Sequence, residues 1–147
     1  MRLQPLLFLS IVLPLSACAT AKDRYLEDGY RFLSGSETAE LVSGKTVEGR
    51  YINRSGTWAD FHVPGGRVSS IESDGTHLGS WEIEGNEICY TYPDEHPESP
   101  VPLPNCIEVA EKDGRYVHFL ANGPYRGNLG GEWISITPGN VKTLPLD

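Results

Sequence analysis

The sequence feature that most limits the possible folds is a regular succession of short β-prone runs after Gly44, separated by glycine-containing turns. Most links between the runs have only two to four residues. Links of that length are too short for a helical crossover, so neighbouring strands are expected to be antiparallel. The pattern predicts eight strands, at residues 46–53, 58–63, 67–72, 76–84, 87–92, 106–111, 115–121 and 132–137.

Eight antiparallel strands joined by hairpins can protect their edges by closing into a barrel, whose interior is filled by side chains or holds one small ligand. We therefore predict a mostly β fold, an antiparallel meander of about eight strands closed into a small barrel, with an open two-layer sheet as the alternative. One short N-terminal helix is expected over 34–44. Ser34 and Glu37 can form a capping box, and Gly44 suits a left-handed position after the helix.

Alternation along the strands divides the side chains between two faces. In the strand 58–63, the more apolar face consists of Ala59, Phe61 and Val63, and the other face consists of Trp58, Asp60 and His62. We expect the first of these faces to point towards the core.

The N-terminal segment is typical of a secretory signal, because Arg2 precedes an apolar run that ends in the small residues Ser16 and Ala17. The run is shorter than the roughly 20 residues that a spanning helix needs, and it contains two prolines, so a permanent transmembrane anchor is the weaker interpretation. Residues 1–17 are predicted to be removed, 18–33 to form a tether, and 34–147 to form one β-rich domain.

Leu15-Ser16-Ala17-Cys18 resembles the lipobox of bacterial lipoproteins. The resemblance implies cleavage before Cys18, a diacylglycerol thioether on its sulfur and acylation of the new amino terminus. In such lipoproteins an aspartate directly after the lipidated cysteine resembles a signal for retention in the inner membrane. Here that position holds Ala19, so the resemblance implies an anchor in the outer membrane, with the domain facing the periplasm. The alternative is an ordinary secreted protein.

Three cysteines are an odd number for an exported protein, and lipidation of Cys18 would leave the even pair Cys89 and Cys106. In an oxidising compartment we expect these two to form a disulfide, with two reduced buried cysteines as the alternative. If Cys89 faces Cys106 across an antiparallel pair, Ile88 faces Ile107. The apolar sides of both strands then agree, which supports the register and the disulfide together.

The composition argues against several classes of function. The formal charge of −8 without a basic cluster disfavours binding to nucleic acid or to anionic lipid headgroups. Residues 39–46 match a relaxed phosphate-binding pattern, but the order is helix before strand, the reverse of what that site needs. With neither a nucleophile elbow nor a C-x-x-C motif in the sequence, we predict no enzyme activity, no catalytic residue, no metal and no cofactor.

Histidines are the remaining candidates for chemistry, and they are His62, His77, His96 and His118. Their spacing matches no metal-binding pattern, so scattered surface histidines are the preferred interpretation. Strands of a barrel could still bring His62, His77 and His118 together. A metalloenzyme or hydrolase that uses them is therefore kept as a third, weaker hypothesis.

Gly56-Thr57-Trp58 and Gly79-Ser80-Trp81 each resemble the G-x-W that opens the first strand of lipocalins. Residues 41–47, 64–66 and 79–90, with the later Cys106, are similar to small exported one-disulfide β proteins of proteobacteria. That likeness implies no activity. G-x-W followed by a strand cysteine also resembles small barrel inhibitors of proteases and lysozymes, although their inhibitory loop is not recognisable here.

The leading hypothesis is a lipid-anchored, non-enzymatic cell-envelope protein that acts as a binding or structural module for an envelope partner. Its candidate contact surfaces are the proline-rich loop 93–104 and the glycine-rich loop 122–131, since binding residues gather on loops. The alternative is an inhibitor or a carrier of a small apolar ligand, in a cavity lined by Trp58, Trp81 or Trp133. The candidate binding residues are Trp58, Trp81, Tyr90, Tyr92, Tyr125 and Arg126.

Overall fold

The computed structural model describes residues 20–93 and 104–146. They form two short helices, α1 (Ala21–Glu27) and α2 (Gly35–Val42). The strands are β1 (Arg31–Phe32), β2 (Lys45–Tyr51), β3 (Thr57–Val63), β4 (Arg67–Glu72), β5 (Gly75–Glu84), β6 (Glu87–Thr91), β7 (Asn105–Lys112), β8 (Arg115–Leu120) and β9 (Leu129–Pro138).

Strands β2 to β9 form a closed, eight-stranded antiparallel barrel. Each strand pairs with the next along the chain, and β9 returns to pair with β2, so that no edge of the sheet is left open. Tight turns with glycine at positive φ, such as Gly66 and Gly114, join the strands at one end. The predicted barrel of eight strands is confirmed, and the open two-layer sheet is not formed.

Helix α2 closes one end of the barrel. It begins as predicted, with a capping box between Ser34 and Glu37, and Gly44 follows it at a φ of +72°. Val42 is completely buried and belongs to the same apolar cluster as Val47 and Ile88 from the barrel wall. The apolar core therefore fills the end of the barrel beneath α2.

The segment expected to be a tether contains ordered structure from Ala21 onward. Helix α1 lies on the outside of the barrel, where Tyr25 packs edge-on against the fully buried Phe119 at 5.3 Å between ring centroids. Strand β1 extends the sheet by pairing Arg31 with Glu111 and Phe32 with Ala110. The packed part of the chain thus begins before the expected residue 34, because these aromatic contacts hold the segment against β7 and β8.

The predicted disulfide between Cys89 and Cys106 is present, and both cysteines are buried. The register is also the predicted one, with Cys89 opposite Cys106 and Ile88 opposite Ile107. The disulfide links β6 to β7 on the outer side of the wall, while the two isoleucines lie inside with the core.

The prediction of which face of β3 points inward is wrong. Trp58 and Asp60 line the interior of the barrel, and His62 bonds to Tyr90 there. Ala59 and Phe61 lie on the opposite face, yet they are also buried. Both faces of β3 are therefore shielded from water, which removes the polarity difference on which the assignment depended.

The proposed signal segment and lipobox, including Cys18, and residues 94–103 of the proline-rich loop lie outside the described residues. The glycine-rich loop is shorter than predicted, because Leu129 already begins β9 and the residues from 129 to 131 belong to that strand. Neither helix in the described part of the chain has the length and hydrophobicity needed to cross a bilayer.

Candidate functional site

The end of the barrel opposite α2 opens into a cavity of about 1170 Å³. Its walls are formed by the ends of β2, β4, β6 and β8 and by the beginnings of β3, β5, β7 and β9. Binding pockets for small molecules in proteins usually have volumes of about 300–1,000 Å³, so this space is large enough for one small organic molecule.

Aromatic side chains cover much of the cavity wall. Trp58 and Trp133 meet edge-to-face with centroids 6.3 Å apart, and Tyr90 and Tyr92 are stacked at 6.4 Å with planes inclined by 5°. Three of these rings are buried on strands β3, β6 and β9, and Tyr92 directly follows β6. The strands thus place flat apolar surfaces around one space.

Glycines in the wall make room for two of these rings. A Cβ atom on Gly49 would lie 2.6 Å from Cε2 of Trp58, and one on Gly79 would lie 2.7 Å from Cδ1 of Tyr92. Both distances are shorter than real Cβ contacts, so only glycine lets the rings lie flat against the backbone of the sheet. The rings consequently line the cavity instead of filling it.

A polar cluster lies at the mouth of the cavity, on β2, β4 and the loop after β2. The Tyr51 hydroxyl donates to Oε1 of Glu72 at 2.7 Å, and Nη2 of Arg54 contacts Oε2 of the same carboxylate at 3.2 Å. The Arg54 guanidinium also lies over the Tyr51 ring, 3.6 Å from its centroid. Burial raises the pKa of Tyr51, and the bond to Glu72 adds to the increase.

Asp60 is the acidic group deepest in the cavity. Burial raises its pKa to about 7, the nearby Glu72 carboxylate adds to the increase, and a hydrogen bond with Ser70 opposes it. Its Oδ1 is completely buried and has no hydrogen-bond partner among the described residues. An unpaired buried carboxylate oxygen is costly in a folded protein, and such groups are often found at functional sites.

The prediction of scattered surface histidines is wrong for His62 and His118, which are buried inside the barrel, each in a separate contact. Nε2 of His62 lies 2.9 Å from the Tyr90 hydroxyl, and Nδ1 of His118 accepts from Nε1 of Trp133 at 3.1 Å. Burial lowers the pKa of each of these imidazoles to about 4, so both are neutral near pH 7. His77 lies at the mouth, paired with Asp74 at 3.1 Å, and His96 is outside the described residues.

Among residues 20–93 and 104–146, the only group of three or more His, Cys, Asp or Glu side chains close enough to share a metal ion is Glu84, Cys89 and Cys106. The two cysteine sulfurs are already joined to each other. His62, His77 and His118 therefore do not form such a group.

The structure brings together most of the predicted binding residues. Trp58, Tyr90, Tyr92 and Tyr125 line the cavity, and so does Trp133. Trp81 lies deeper, where its Nε1 donates to the Val63 carbonyl at 3.1 Å and its ring meets His62 edge-on. Arg126 is exposed in the turn after β8 and does not line the cavity.

Sequence reasoning missed several polar groups of the cavity, among them Tyr51, Asp60, Ser70, Glu72 and Asn105. The sequence of β3 contains a pattern that could have identified Asp60. Asp60 shares a strand face with Trp58 and His62, and a face that carries two aromatic rings is seldom exposed to solvent. Searches of protein-family models, curated proteins and solved structures gave no match to this chain.

Proposed function

We propose that this protein is a lipid-anchored protein of the bacterial cell envelope that binds a small, mostly apolar ligand inside its barrel without transforming it. The observation that carries the proposal is the open cavity of about 1170 Å³, walled by the rings of Trp58, Trp133, Tyr90 and Tyr92. Burial of ring and ligand surface favours binding by roughly 25 cal/mol per Å² of apolar area.

The barrel architecture supports binding in preference to a structural role. An eight-stranded barrel can be filled completely by side chains, as this one is at the end beneath α2. At the other end, Gly49 and Gly79 keep the rings against the wall. Space is therefore maintained at one end of a barrel that could have been filled.

The anchor rests on the lipobox-like Leu15-Ser16-Ala17-Cys18 and on the disulfide, which fits an oxidising compartment. We expect mass spectrometry of the protein from a Gram-negative host to find diacylglycerol and an acyl chain on Cys18. Cys18→Ser should leave the signal uncleaved and unmodified. An unmodified Cys18 in the wild-type product would refute the anchor and leave the cavity argument intact.

Ligand binding is tested by native mass spectrometry of the protein purified from its own organism. We expect an added mass that dissociates on activation. Leu120→Trp, which places a large ring at the cavity wall, should lose that mass. Ile134→Trp is the matched control, because Ile134 is 61% exposed on the outside of the barrel, and it should keep the mass. A wild-type spectrum without added mass contradicts the proposal.

A further inference from the structure

Unpaired polar atoms remain in the wall of the cavity. Oδ1 of Asp60 and Oδ1 of Asn105 are buried acceptors without a partner, and Nε1 of Trp58 is a buried donor without one, within the described residues. All three side chains line the cavity. Because buried polar groups are normally hydrogen-bonded, a bound molecule that supplies donors to the two acceptors would remove part of this cost.

The charges that line the cavity are predominantly negative. Three carboxylates, Asp60, Glu72 and Asp74, face one guanidinium, Arg54, which is already bound to Glu72. His118 adds no positive charge near pH 7, because burial lowers its pKa to about 4. An anionic ligand would therefore meet net repulsion, and a cationic ligand would meet net attraction.

The aromatic rings in the cavity wall also favour a positively charged ligand. The face of an aromatic ring is electronegative and attracts ammonium groups, and aromatic cages are a common way of binding organic cations. The cavity offers the rings of Trp58, Trp133, Tyr90 and Tyr92, and Asp60 lies two residues from Trp58 on the same strand face. A carboxylate among such rings can bind an ammonium group with ion pairing and ring contacts together.

We propose that the ligand carries an organic ammonium group, which the Asp60 carboxylate binds among the aromatic rings of the cavity. This inference rests on the proposed function, because it assumes that the cavity holds a ligand. A fully apolar ligand would bury Asp60 and Asn105 without partners, which costs free energy. An ammonium group with N–H bonds can donate to the Asp60 oxygen, and a quaternary one can neutralise its charge.

The ionisation of Asp60 gives the inference a pH dependence. With a pKa of about 7, roughly nine-tenths of the Asp60 carboxyl is ionised at pH 8 and roughly one-tenth at pH 6. If the cation binds the ionised form, its affinity is about tenfold lower at pH 6 than at pH 8. A neutral ligand has no such dependence.

Other groups around Asp60 must be considered in that profile. Glu72 on β4, Tyr51 on β2 and Tyr90 on β6 interact with it electrostatically. Burial keeps both tyrosines protonated over this range. The remaining charged or titratable side chains that line the cavity are His118 on β8, His77 on β5, Asp74 before β5, Arg54 after β2, Tyr92 after β6 and Tyr125 after β8. His77→Gln should leave the profile unchanged, which excludes the histidine at the mouth as its source.

The test uses the mature protein and two probes of the same shape, phenyltrimethylammonium and tert-butylbenzene, which displace the neutral fluorophore N-phenyl-1-naphthylamine. We expect the cation to bind at least about tenfold more tightly than its neutral isostere at pH 8, through combined ion pairing and ring contacts. Benzenesulfonate, an anion of similar size, should not displace the fluorophore.

Asp60→Asn should remove the preference for the cation over its neutral isostere, since the two side chains have nearly the same shape and differ in charge. Glu82→Gln is the matched control, because it removes one negative charge from an exposed position of β5, and it should keep the preference. Equal affinities for cation and isostere in the wild type would overturn the inference alone. Failure of the fluorophore and both aromatic probes to bind would overturn the proposed function as well.

Discussion

Replacement of Asp60 by asparagine should stabilise the barrel by an amount that grows with pH. The folded-state pKa of Asp60 is raised from 3.8 to about 7, mainly by burial. Between these values the folded protein holds a proton that the unfolded chain has lost, so the free energy of unfolding falls as pH rises. Asparagine has no such proton, and the difference between the two proteins isolates this effect.

The magnitude follows from the two pKa values. Each pH unit between them contributes about 1.4 kcal/mol, so raising the pH from 4.5 to 8 should increase the advantage of Asp60→Asn by about 3 kcal/mol. The buried His62 and His118 act in the opposite direction. Their lowered pKa values of about 4 stabilise the fold above pH 6.5, and this stability is lost as the pH falls to 4. They are present in both proteins and cancel.

The assay is guanidinium unfolding followed by tryptophan fluorescence at pH 4.5, 6 and 8, with Glu82→Gln as the control. The control substitution is at an exposed site and should show no pH-dependent difference above about 0.5 kcal/mol. A difference between Asp60→Asn and wild type that stays constant from pH 4.5 to 8 would show that Asp60 is not desolvated. The pH argument for cation binding would then fail with it.

Three further perturbations test the architecture. Gly49→Ala should cost about 2 kcal/mol and weaken fluorophore binding, because the added methyl displaces the Trp58 ring; unchanged stability and binding would refute the proposed role of the glycine. Cys89→Ala with Cys106→Ala should lower the free energy of unfolding by about 3 kcal/mol, from the entropy of a loop closed over 17 residues; a protein that is equally stable in reducing and oxidising buffer contradicts this. Ser34→Ala should lower the free energy of unfolding by about 1 kcal/mol, because it removes the N-cap of α2. Ser34→Asp should keep the wild-type stability and Ser34→Val should not; equal stability of these two variants would contradict the capping bond.

The parts of the fold that depend on local chemistry could be predicted from the sequence. Glycine-containing turns at short intervals define the hairpins. Successive hairpins build an antiparallel meander, and a meander of eight strands can close into a barrel. The pairing of Cys89 with Cys106 followed from the agreement of the Ile88 and Ile107 faces, because a shift of one residue would have reversed both.

Tertiary contacts explain what could not be predicted. Helix α1 has only seven residues, and none of them is buried. Its position on the barrel depends on contacts with distant residues, such as that of Tyr25 with Phe119. The inward face of β3 was misassigned because Ala59 and Phe61 are buried on the outer side too. The polar groups of the cavity come from separate strands and turns, and only the closed barrel brings Asp60 and Asn105 to one space.

The docking of α1 also bears on where the cavity would sit in the cell. Ala21, its first residue, borders the mouth of the cavity. Cys18 precedes it by three residues, and three residues of extended chain reach about 10 Å at most. If fatty acyl chains occupy that sulfur, the opening is kept beside the headgroups of the bilayer, where an amphiphile could pass from leaflet to protein without crossing bulk solvent.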